Sequence, residues 1–185
     1  AGFKSWRAMA YSPQTNALYV PMSLQCERAI FGAVQKVVGR GGTGPVQRKD
    51  IIHPRSGGSL GEFQALDVRT GKTLWRHRTA SPSNTAALAT AGGVVFGGDW
   101  DRHMYAYDAA TGAILWQTRL PTSAQGFPVT YLANGKQYVA MPAGWGGGSW
   151  STLIPTELAP EIRRPNRGNV LLVFALPDTG TRGVR

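Results

Sequence analysis

Ala65-Leu66-Asp67-Val68-Arg69-Thr70-Gly71-Lys72-Thr73-Leu74-Trp75 returns 41 residues later as Ala106-Tyr107-Asp108-Ala109-Ala110-Thr111-Gly112-Ala113-Ile114-Leu115-Trp116. Each copy reads as strand, turn, strand. Asp67 and Asp108 can accept hydrogen bonds from backbone amides across the turn, and Gly71 and Gly112 can supply the positive φ such turns need. The Trp at the same place in each copy can pack between neighbouring sheets. A repeat near 40 residues with strand content is the spacing expected of propeller blades.

Other strand pairs extend the pattern outward. Gly93-Val94-Val95-Phe96-Gly97-Gly98 is a short apolar strand, Asp99 to Arg102 a turn, and His103 to Tyr107 leads into the second repeat. Phe127 to Tyr131 and Gln137 to Pro142 flank Asn134-Gly135, a strong hairpin signal. Met9-Ala10-Tyr11 and Ala17 to Val20 form an earlier pair around Ser12-Pro13-Gln14-Thr15-Asn16, and Asn169 to Leu176 is the last strand. The reading is all-β: residues 1–185 form the C-terminal part of one propeller domain, about three blades, with long loop insertions at 30–60 and 146–168. A short helix is expected around Glu27 to Val37. Three blades leave open edges, whereas closed rings use about four to eight. The missing blades are therefore expected from an upstream chain or segment.

Composition agrees. The 24 Gly and 12 Pro punctuate the chain as many turns would. No apolar run is long enough for a membrane span. The formal charge is +10, but the basic residues are scattered and no nucleic-acid motif accompanies them. The densest group, Arg48, Lys49 and Arg55 flanked by Lys36 and Arg40, reads as a solvated loop. Cys26 reads as a buried free thiol, and the absence of Cys-x-x-Cys-His excludes c-type haem attachment by this chain. His53, His77 and His103 lack metal-ligand spacing and read as surface or turn residues. Asp99 and Asp101 are too few for a Ca²⁺ loop. Gly146-Gly147-Gly148 has no following Lys-Ser/Thr and is not a phosphate loop.

The two repeats resemble the tryptophan-docking motif of PQQ-dependent quinoprotein alcohol dehydrogenases. Tyr11-Ser12-Pro13 through Val20-Pro21, Gln125 to Tyr131 with Asn134 to Ala140, Ala143-Gly144-Trp145-Gly146-Gly147-Gly148 and Leu171 to Pro177 are also similar to family segments. The resemblance implies an eight-bladed propeller with the quinone near its axis, where an alcohol or aldehyde is oxidised by hydride transfer. It further implies Ca²⁺ or a lanthanide, an Asp base, and electron transfer to a cytochrome c-type or other acceptor. The metal carboxylates and the base are expected upstream, in an N-terminal polypeptide that completes the ring. A periplasmic location is implied by the resemblance alone.

Three residues are cofactor candidates. Trp145 has a flat indole able to cover a planar quinone, with flanking glycines that permit close backbone approach; the alternative is a loop Trp packed on the propeller face. Gly144 shares the argument through its backbone amide. Ser5, in Lys4-Ser5-Trp6, stands where the family usually has Asn in Lys-Asn-Trp; its hydroxyl is shorter and reaches the quinone directly or through water. Ser83 replaces a family Trp, which widens the pocket or reflects subfamily drift. The competing functional reading is a non-enzymatic propeller scaffold that binds protein partners. The segments 125–131 and 143–150 favour the enzyme, since a scaffold has no need of them.

Overall fold

The computed structural model describes residues 7–34, 38–39, 44–144, 157–162 and 168–176. The chain runs outward through three antiparallel sheets in succession. The first is ordered β1 (Ala10–Ser12), β2 (Ala17–Ser23), β5 (Gly61–Asp67), β6 (Thr73–Thr79). The second is ordered β7 (Leu88–Ala89), β8 (Val94–Gly98), β9 (His103–Asp108), β10 (Ile114–Arg119). The third holds β11 (Val129–Ala133), β12 (Lys136–Gly144) and β13 (Asn169–Ala175). Between β2 and β5 a hairpin, β3 (Gln25–Phe31) with β4 (Val46–Ile52), forms a separate two-stranded sheet, followed by a 3-10 turn at Pro54–Ser56. Antiparallel sheets in series, two of four strands and one of three among the described residues, are the blades the repeat predicts.

The repeat turns are built by their Asp. Asp67 accepts from the Arg69 and Thr70 amides at 3.0 and 2.7 Å and from the Thr70 hydroxyl at 3.0 Å. Asp108 does the same with Ala110 and Thr111. Asn134 and Gly135 have φ of 51° and 74°. They form the two-residue loop that pairs Ala133 with Lys136, as the right-handed strand twist favours.

Adjacent sheets share a core. Tyr19, Phe63, Ala65 and Trp75 of the first sheet pack against Val95, Tyr105, Tyr107 and Ala109 of the second. Trp75 reaches across the gap. Its Nε1 donates to the Ala109 carbonyl at 3.0 Å, and its ring lies where a Cβ on Gly112 would stand. Met104, Leu120 and Ala124 pack with Val139, Met141 and Ala143 between the second and third sheets.

Several local expectations are corrected. Glu27 to Phe31 is strand, not helix. Cross-strand pairing decides it: Glu27 faces Asp50 and is salt-bridged to Arg48 at 3.2 Å, and Gln25 donates to Asp50 at 2.7 Å. Arg48 and Lys49 accordingly lie in β4 rather than in a loop. Cys26 is half-buried, because its strand belongs to a two-stranded sheet that covers little of it. His77 is not a surface residue; it is half-buried, with ring centroids 5.4 and 5.5 Å from Tyr105 and Tyr107. Burial lowers its pKa. Trp116, though equivalent to Trp75 in the repeat, remains 39% exposed and meets Phe174 edge-on at 5.2 Å.

Candidate functional site

The first strand of each sheet, β1, β7 or β11, is reached by a connector from the preceding segment. A series of backbone hydrogen bonds ties these connectors together. The Ala87 amide donates to Ala8 at 3.0 Å, the Ala86 amide to Gly126 at 3.1 Å, and the Gly144 amide to Ser123 at 3.0 Å. Residues 7–8, 81–87, 122–126 and 144 therefore converge at one end of the three sheets, although up to 137 positions separate them (144 − 7). Inner-strand connectors at one end of a propeller surround its axis, where such folds place ligands.

This end is polar and closed to solvent. Ser81, Ser83, Asn84, Thr85, Asp99, Thr122, Ser123 and Gln125 are all buried. Most of the groups there are spent on the scaffold. Thr85 Oγ1 accepts from the Gly98 amide at 2.7 Å, Ser81 Oγ accepts from Asp101, and Ser123 Oγ donates to the Trp100 carbonyl. Asp99 takes the His103 amide and the Tyr105 hydroxyl, each at 3.0 Å. Burial raises the pKa of Asp99 against these bonds, and raises that of Tyr105 too. Two further groups are buried there. Thr122 Oγ1 is buried without a hydrogen bond, a cost proteins normally avoid. Arg7 is 5% exposed, and burial lowers its guanidinium pKa to about 10. A buried cation and a buried hydroxyl suit a polar, anionic ligand.

Of the three cofactor candidates, Gly144 is the one among the described residues. Its amide is engaged by Ser123, and a Cβ there would overlap the Asn169 side-chain amide, so a larger residue would have to displace that side chain. Ser5 and Trp145 lie outside the described residues. Ser5 is two positions before Arg7, and Trp145 directly follows Gly144, so the sequence neighbours of both are brought to the same end. Ser83 is buried in the connector before β7. Arg7, Thr122 and Trp100 escaped the sequence reading. A lone Arg or Thr beside a strand carries no signal of burial, and Trp100 was hidden in a turn. Trp100 is fully buried against Leu60, Ala159 and Ile162. Among the described residues, no three His, Cys, Asp or Glu side chains gather as a metal site would need.

Successive antiparallel blades with a polar axial end define the class: part of a β-propeller. Residues 76–139 match the family model "PQQ: Glucose/ethanol/alcohol dehydrogenase, beta-propeller domain". The chain is 32% identical over 181 residues to the quinoprotein alcohol dehydrogenase PedH of Pseudomonas putida, covering 95% of this chain and 29% of that protein. It is 35% identical over 153 residues to the quinohemoprotein alcohol dehydrogenase of Comamonas testosteroni, covering 79% of this chain and 22% of that protein. A solved structure of a europium-containing methanol dehydrogenase superposes with a TM-score of 0.80 at 28% identity, covering 95% of this chain and 33% of that one. The chain belongs to the PQQ-dependent alcohol dehydrogenase family and corresponds to the C-terminal portion of its propeller. It spans less than a third of the length of these curated relatives.

Proposed function

We propose that this chain forms one side of the cofactor seat of a PQQ-dependent dehydrogenase that oxidises an alcohol or aldehyde. The observation that carries the reading is the convergence of residues 7–8, 81–87, 122–126 and 144 on one buried polar end. The residues present fit the quinone: Arg7 offers a buried positive charge to a multiply anionic molecule, and Thr122 an unspent hydroxyl. Bound there, a quinone would supply the hydride acceptor for oxidation of the substrate carbon. The chain's own part is to hold and orient. Trp145 covers the ring plane, Gly144 leaves room for the Asn169 side chain, and Ser5 supplies a hydroxyl directly or through water. Ca²⁺ or a lanthanide, its carboxylates and the Asp base are assigned to an N-terminal polypeptide that completes the propeller. Electrons leave to a cytochrome c-type or other acceptor, as the name of a relative, the 1-butanol dehydrogenase (cytochrome c) of Thauera butanivorans, suggests. A periplasmic location goes with this reading.

The test is Trp145→Ala in the assembled protein. Losing even half the burial of an indole, spent on the cofactor, weakens quinone binding about tenfold. The expected result is that loss, measured by fluorescence titration with PQQ, at an unchanged melting temperature. Unchanged affinity with lowered stability returns Trp145 to a packing role. A purified assembly that never binds PQQ would favour the scaffold reading.

A further inference from the structure

One face of the first sheet is covered by the second sheet through Phe63, Ala65 and Trp75. Strand alternation turns Met22, Glu62, Gln64, Arg76 and Arg78 to the opposite face. That face carries a pocket of about 350 Å³, lined by Met22, Leu24, His53, Arg55, Ser56, Glu62, Arg76 and Arg78. Its charge is unbalanced. Among the described residues, Glu62 is the one carboxylate in the lining, and it is held by Arg78 at 2.6 Å. Arg78 also donates to the Ser56 carbonyl at 3.1 Å. Arg55 and Arg76 thus face the same pocket with no acidic partner in its lining. Ser56 is 1% exposed, and its Oγ has no hydrogen bond. Crowded guanidinium groups and a buried unspent hydroxyl are unfavourable by themselves and favourable around a carboxylate.

We propose that this pocket receives an Asp or Glu side chain from the preceding blade of the propeller, and that the pair fixes how the N-terminal portion seats on this chain. The inference rests on the proposed completion of the ring by an N-terminal portion. The occupant follows from continuity and charge: in a propeller each blade face meets a neighbouring blade, and this face is basic.

The experiment uses the assembled protein. In Arg76→Lys, zero-length carbodiimide coupling followed by peptide mapping reads the residue opposite. An isopeptide bond from position 76 to an Asp or Glu of the N-terminal portion is the expected result. Arg55→Glu with Arg76→Glu should weaken assembly at least tenfold in 50 mM salt and lose the salt dependence shown by the parent. Assembly of the double variant at parental strength overturns the proposal. So does the absence of any such bond, including the case where free acetate saturably raises the melting temperature instead. Quinone titration of the same assembly separates the two readings: the crosslink can form without cofactor binding, and cofactor can bind without the crosslink.

Discussion

Identical residue types in the repeat do different work. Trp75 is 9% exposed and hydrogen-bonded to Ala109, whereas Trp116 is 39% exposed and touches Phe174 by an edge. Trp75→Ala is therefore expected to cost about 3–5 kcal/mol and Trp116→Ala roughly 1–2 kcal/mol, measured by denaturant unfolding of the assembled protein. Equal costs would mean that Trp116 is covered as fully as Trp75. The glycines diverge in the same way. Gly71 and Gly112 both have positive φ, but a Cβ at Gly71 meets open space and one at Gly112 meets the Trp75 ring. Gly71→Ala should cost about 1 kcal/mol from backbone strain, and Gly112→Ala clearly more, because Trp75 must also move.

At the scale of elements, each blade turn depends on a charged acceptor. The Thr70 amide, then its hydroxyl, holds Asp67 below the usual carboxylate range; Thr111 does the same for Asp108. A carboxylate lowered in the folded state contributes stability above its unfolded pKa, near 3.9, and loses it as pH falls through the lower folded value. Melting temperature followed from pH 6 to pH 2 should fall less steeply in the Asp67→Asn, Asp108→Asn double variant than in the parent. Parallel curves would show that these turns do not govern acid sensitivity. Among the described residues, the β3–β4 hairpin shows no such local device. Its strands are held by pairing across 21 positions, as in Glu27 with Arg48, so nothing within β3 alone distinguishes it from a helix.

For the whole molecule, the proposed completion of the ring by an N-terminal portion is open to a direct test. Val129, Leu171 and Val173 lie on the face of the third sheet turned away from the second and are exposed, where a further blade would cover them. The chain expressed with the N-terminal portion is expected to elute as one species containing both by size-exclusion chromatography with mass spectrometry. A soluble, well-folded monomer of this chain alone would count against the completed ring.

The period and the repeat turns were legible in the sequence, because they depend on groups a few residues apart; the strand at Glu27 to Phe31 was not. Asp67 finds its amides two and three positions away, Asn134-Gly135 carries its own backbone preference, and alternation marks other strands. The sequence also pointed to Gly144, Trp145 and Ser5 by likeness of segments. Tertiary structure alone decided which tryptophan is buried, that Arg7 and Thr122 lie out of water, and that Ala8, Ala87, Gly126, Ser123 and Gly144 meet at one end. Burial and convergence are sums over contacts between residues tens to more than a hundred positions apart. They exist only after the sheets have stacked, and no local pattern encodes them.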